Sequence, residues 1–157
     1  MGDVQGGPGT ALTDSYDLRA DWGRAPFPLH TMNSTVNARL PLGLFVAGIL
    51  RANSGRYYTV TTGSDNNRDS NITDRPAGVR PSGRRGPRYS NVDVNLSKAF
   101  FLRGSGGSNV NVFVNLTNAF NHVHYGQPSG VLSSSNFGRS TSASDPREVE
   151  IGFRFQF

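Results

Sequence analysis

Val149-Glu-Ile-Gly-Phe-Arg-Phe-Gln-Phe157 carries a strict two-residue alternation. Val149, Ile151, Phe153, Phe155 and Phe157 take every second position, and Glu150, Gly152, Arg154 and Gln156 fill the gaps. A period of two places the first set on one face of a strand and the second on the other. From Arg147 to Phe157 the segment is long enough to cross a bilayer as a tilted strand, which takes about 9–11 residues.

The same two-beat pattern recurs upstream. Between Leu12 and Trp22, Tyr16, Leu18, Ala20 and Trp22 alternate with Ser15, Asp17, Arg19 and Asp21, which predicts a first strand. A second is expected from His30 to Leu40, with Met32, Val36, Ala38 and Leu40 opposite Asn33, Asn37 and Arg39. Pro41-Leu-Gly43 then makes a tight turn. The third, Leu44 to Thr62, fits least: Leu44, Phe45, Val46, Ala47, Ile49 and Leu50 put apolar groups on both faces, and Ser54-Gly-Arg56 could kink it. The fourth, Tyr89 to Phe101, sets Val92, Val94 and Leu96 against Asn91, Asp93 and Asn95. In the fifth, Asn109 to Phe120, Val110, Val112, Val114 and Leu116 oppose Asn111, Asn115 and Thr117, and Phe113 interrupts the polar face.

The fold class expected is therefore all-β, an antiparallel meander of about six long strands. Its connections alternate between tight turns (41–43, 103–108) and long loops (63–87, 121–146), the asymmetry of outer-membrane barrels. Trp22, Tyr57, Tyr58, Tyr89 and Phe120 would mark the outer boundary of a bilayer, and Phe100, Phe101 and Phe157 the inner one. Lys98 shares the lipid-facing parity of Leu96, but lies close to an inner turn where its amine can snorkel. Six strands are fewer than the eight from which single-chain barrels start, and their edges would be unpaired in lipid. A fragment of a larger barrel is expected, with 1–10 a flexible N-terminal segment and 11–157 barrel.

Composition is compatible with this. Of 157 residues 35% are hydrophobic, low for a packed core, while nineteen glycines and nine prolines suit short strands and turns. No run approaches the roughly 18–20 apolar residues of a membrane helix. Cysteine is absent, which removes disulfides and thiolate metal sites. Met1–Thr10 lacks the basic and apolar pattern of a secretory leader. The net charge of +5 does not point to nucleic acid, because Arg80, Arg84, Arg85 and Arg88 sit in a Gly/Pro/Ser loop and the others are scattered.

Several stretches together resemble a known family. Tyr57-Thr-Val-Thr-Thr-Gly63, Asp65-Asn-Asn-Arg-Asp69, Asn71-Ile-Thr-Asp-Arg-Pro-Ala-Gly78 and Asn91-Val-Asp-Val-Asn-Leu-Ser-Lys98 are similar to TonB-dependent outer-membrane receptors of the Oar-like group, which often carry a carboxypeptidase-regulatory-like domain. Val112-Phe-Val-Asn-Leu-Thr-Asn-Ala-Phe-Asn121, Phe137-Gly-Arg139 and Ile151-Gly-Phe-Arg-Phe-Gln-Phe157 continue the likeness. The resemblance implies a barrel of about 22 strands around a plug, energised through TonB for active nutrient uptake in the cell outer membrane of a Gram-negative bacterium. This chain would supply its last six strands. Partners implied are outer-membrane lipid, the barrel-assembly machinery, the remainder of the barrel and plug, and TonB through an N-terminal part. Val92, Val94, Leu96, Val110, Val112, Val114, Leu116, Val149, Ile151, Phe153 and Phe155 would face the membrane. Phe153, Phe155 and Phe157 resemble the signal read by the assembly machinery.

Other chemistry is sparse. Asp65, Asn67, Asp69 and Asn71, with Asp74, space oxygen ligands as a calcium loop does, although an EF-hand would need Gly and Glu where Ser70 and Pro76 stand. His122 and His124 would share a strand face, with only His30 as a third ligand. No nucleophile–base or paired-carboxylate arrangement is legible, so no enzyme and no cofactor beyond that Ca2+ candidate are expected. The competing reading is a soluble β-sandwich whose loops hold a glycan or calcium.

Overall fold

In a computed structural model of the chain, the residues described are Asp3 and Val4 (backbone only), 17–102 and 107–157. Five long strands form one antiparallel sheet: β3 (Thr31–Leu40), β4 (Leu44–Asn53), β7 (Tyr89–Phe101), β8 (Asn109–Thr117) and β9 (Glu148–Gln156), in that spatial order. Two short pairs lie outside it, β1 (Asp3–Val4) with β2 (Trp22–Gly23) and β5 (Tyr57–Tyr58) with β6 (Arg84–Arg85). The sheet, with the turns after β8, makes one unit; the described residues of 1–30, 54–88 and 124–144 make another.

Register keeps the alternation in phase across the whole sheet. Ala38 pairs with Val46, Val46 with Leu96, Leu96 with Val114 and Val114 with Ile151. Directly opposed residues in an antiparallel pair share a face, so these five form a continuous apolar row on one face. Asn37, Ala47, Asn95, Asn115 and Glu150 form the matching row on the other face. A slip of one residue at any pairing would move that strand's apolar set to the polar side. The tight turn at Pro41–Gly43, a 3-10 turn in which Leu42 takes φ 66°, helps to hold the first register.

Two expected strands are corrected. Of Leu12–Trp22, residues 12–16 lie outside the described ones, and Leu18–Asp21 is a 3-10 turn capped by the Asp17 side chain, which accepts from the Arg19 N–H at 3.0 Å. Local capping satisfies this backbone where alternation suggested a sheet ladder, so the sheet has five long strands among the described residues, and Asp17 and Arg19 are not on it. The third strand ends at Asn53 instead of Thr62; Tyr57–Tyr58 pairs with Arg84–Arg85 in the other unit. Its two-sided apolar character is real: Phe45, Ala47 and Ile49 lie on the otherwise polar face.

Phe113, the other exception on that face, has a steric cause. It pairs with Gly152, and a Cβ built on Gly152 would meet the Phe113 ring at 2.3 Å. The ring lies over the glycine, occupying the space that a side chain there would need.

Among the described residues the apolar face of the sheet carries large exposed side chains. The only buried large hydrophobics among the described residues are Tyr57 and Val60, neither of them in the sheet. Ile151 and Phe153 are 73% and 70% exposed. A β-sandwich buries its inner faces against each other, so the sandwich reading fails on this sheet.

Candidate functional site

Val92, Val94 and Leu96 of β7, Val110, Val112, Val114 and Leu116 of β8, and Val149, Ile151, Phe153 and Phe155 of β9 share one face. Five strands ~4.8 Å apart, with about nine residues at ~3.3 Å each, give a face of roughly 24 by 30 Å, on the order of 700 Å2. Soluble monomers seldom expose an apolar patch above ~300–600 Å2. Lys98 is the charge on this face; it pairs with Leu44 and Val112 beside the tight-turn end, with its amine 5.0 Å from the Phe100 ring centroid.

The opposite face is hydrogen-bonded from strand to strand. Asn95 donates to Asn115 at 2.5 Å, and Asn115 donates to Glu150 at 2.8 Å. Arg51 of β4 pairs with Asp93 of β7 at 2.7 Å. Asn37, Arg39, Asp93, Asn111 and Arg154 all lie here, as the alternation predicts.

Asp93 also begins a cluster that the alternation does not reveal. Its Oδ1 accepts from the Asn91 side chain at 2.8 Å and from the Asn118 backbone N–H at 3.0 Å. Asn118, just past β8, has φ 51° and is buried. Its amide donates to the carbonyls of His122 at 2.9 Å and Asp145 at 3.4 Å, and its Oδ1 accepts from the His122 N–H at 3.0 Å. Asn121, also left-handed, accepts from the Arg147 N–H at 3.0 Å. Asparagine tolerates that conformation better than most residues. Thus the Leu116-Thr-Asn-Ala-Phe-Asn121 stretch clips together the two ends of the second long connection. Its spacing alone would not show this, because the partners are up to 27 residues away.

In the other unit the two long connections are joined through their backbones. The Thr61 N–H donates to Gly130 and the Leu132 N–H to Thr61, both at 2.9 Å. Asp74 is buried and accepts from the N–H groups of Asn66 at 2.5 Å and Asn67 at 3.1 Å. Next to it, Arg75 reaches the buried Asp21 at 2.7 Å and also donates to the Ala20 carbonyl. The Asp74-Arg-Pro76 motif is therefore an anchor for 18–21 and 62–67.

The side-chain oxygens of the calcium candidate have backbone partners in this structure. Asp65 accepts from the N–H groups of Asp69 and Ser70, Asp69 from Asn71, and Asn67 from Asp69. These oxygens cap backbone amides in successive Asx-type turns, and the Asn71 N–H is the chief cause that holds the Asp69 carboxyl below its ordinary value. Among the described residues no group of three or more His, Cys, Asp or Glu is arranged to hold a metal ion. The His122/His124 pair is not such a group either; the His122 ring lies 6.1 Å from that of Phe120.

The boundary aromatics divide. Tyr89 opens β7 on the polar face and Phe100 lies on the apolar one. Tyr57 is only 6% exposed, its hydroxyl accepting from Arg85 at 2.7 Å and Arg24 at 3.1 Å. It is buried within the loop unit, so the expected place at a lipid boundary is wrong for it. Sequence carried no signal for this, since Arg24 and Arg85 lie 33 and 28 positions away.

Residues 78–150 match the family model of an outer membrane beta barrel domain. The matched stretch holds β7, β8 and the Asp93–Asn118 cluster. No curated protein and no solved structure matches the chain. The match and the two-faced sheet support a membrane barrel protein of the outer membrane.

Proposed function

We propose that the chain is the C-terminal barrel portion of a TonB-dependent receptor that takes up a nutrient actively across the outer membrane of a Gram-negative bacterium. The observation that carries the membrane part is the exposed apolar face, in phase over five strands of 9 to 13 residues. These lengths suit tilted spanning strands. In this reading Val94, Val114 and Ile151 meet lipid, while Asp93, Asn111 and Arg154 face the lumen and plug. The outer edges of β3 and β9 pair with further strands of the same barrel, since lipid leaves no solvent for an open edge. The role is transport, not catalysis. The receptor part of the reading is supported by the family resemblance of the loop and strand motifs.

The test is made in the native host on the gene product that carries this sequence. It should sediment with the outer membrane, migrate differently before and after boiling, and cross-link to TonB. Recovery in the aqueous fraction refutes the membrane placement. Outer-membrane recovery without a TonB cross-link refutes energised uptake alone.

A further inference from the structure

A cleft of about 960 Å3 opens within the loop unit, lined by Trp22, Arg24, Phe27, Tyr57, Arg80 and Ser82 among others. Gly23 makes it possible. A Cβ there would come within 2.5 Å of the Pro81 carbonyl oxygen, so only glycine lets 22–24 lie against 80–83. The rim is apolar, with the Trp22 and Phe27 side chains 52% and 62% exposed.

Arg24 and Tyr57 both line the cleft, and Arg85 reaches Tyr57 from outside the lining. Arg24 and Arg85 converge on the Tyr57 hydroxyl and also stand over its ring, with guanidinium carbons 5.3 and 5.2 Å from the centroid. The Arg85 hydrogen bond, reinforced by Arg24, holds the phenol below its ordinary value. Arg80 is the second guanidinium of the lining, and among the described lining residues there is no acid. Among the described residues no carboxylate pairs with Arg24, Arg80 or Arg85. The Ser82 side chain is buried, with no partner for its hydroxyl. Guanidinium groups in a wall that also carries rings are complementary to an anion carried on an apolar body. Guanidinium forks match carboxylate and phosphate oxygens.

We infer that this cleft binds a small aryl acid, a carboxylate or phosphate on an aromatic ring, with the acid at Arg24 and Arg80 and the ring against Trp22 and Phe27. This stands on the cleft alone and does not depend on the transport reading. The experiment is a calorimetric titration of the full-length barrel that carries this sequence, purified in neutral detergent micelles, with benzoate and with phenyl phosphate. Benzamide and acetate at matched ionic strength are the controls. A saturable change with the aryl acids and little with either control is expected. Arg80→Gln, which leaves the Tyr57 hydrogen bonds in place, should weaken binding at least ten-fold; Arg24→Gln should do the same, and Arg88→Gln, outside the cleft lining, should not. Circular dichroism of each variant ensures that the comparison is between folded chains. An equal response to benzamide, an equal response to acetate, no saturation by 10 mM, or unchanged affinity in folded Arg80→Gln would each overturn the inference.

Discussion

Replacing Ile151 by arginine puts the membrane assignment of the sheet to its hardest test. Ile151 is the fourth of nine residues in β9, is 73% exposed, and has Val114 across the strand with Val149 and Phe153 on either side. If this face meets water, an exposed substitution changes stability by about 0.5 kcal/mol or less. If it meets hydrocarbon near the bilayer centre, arginine costs ~2–4 kcal/mol. Taking about 3 kcal/mol, the folding equilibrium falls by a factor of ~150. With a guanidinium slope of roughly 2–6 kcal/mol/M, the midpoint drops by ~0.5–1.5 M. The assay is a guanidinium titration of the barrel carrying this sequence, folded into phosphatidylcholine vesicles. Asn37→Arg, on the polar face of β3, serves as the reference. The reasoning is refuted if Ile151→Arg costs no more than Asn37→Arg. Lys98→Leu provides a check on depth. Because Lys98 already sits at the turn end of the same face, its replacement should change stability by only about 0–1 kcal/mol.

Gly152→Val should destabilise the same barrel by ~1–3 kcal/mol through overpacking against the Phe113 ring. The double variant with Phe113→Ala should recover part of that loss, and strictly additive costs would count against the stacked arrangement. Asn118→Ala removes the bonds to His122 and Asp145 and places alanine at positive φ; a loss of ~1–3 kcal/mol is expected. It should appear as faster proteolysis within 122–145, whereas unchanged cleavage would contradict the clip. For Asp69 the folded value lies below the unfolded one, so its contribution is fully present above the ordinary carboxylate value of about 3.9. It is lost as pH falls through the lower folded value. Exchange protection of the Asn71 N–H should therefore be flat at neutral and mildly acidic pH and fall only below about pH 4, and loss already near neutrality would exclude this cause.

Alternation made the sheet legible because it is local. In β7, β8 and β9 each residue declares its face, and correct register follows once the faces must match. The same signal misled at Leu12–Trp22, since a capped 3-10 turn and a strand can carry the same spacing. Distinguishing them required Asp17 to be seen accepting from Arg19. Alternation marked Phe45–Ile49 and Phe113 as exceptions, and the register places Phe45, Ala47, Ile49 and Phe113 on the polar face, but only the fold shows the Phe113 ring lying over Gly152. In the loop around Asp65–Asp74, oxygen on alternate residues is as useful for capping amides as for holding a cation, so the spacing could not separate the two. The Tyr57 cleft and the Asp93–Asn118 cluster depend on long-range partners, which composition and period do not encode.

The clip at Asn118 and Asn121 separates two design problems. With His122 tied to Asn118, and Asp145 and Arg147 tied back to Asn118 and Asn121, the β8–β9 register is fixed before the chain between them is specified. Residues 124–144 then act as a cassette with respect to the sheet, open to insertion, deletion or exchange while β9 keeps its place. Diversification of what this protein meets outside the sheet can proceed in that cassette without renegotiating the strands.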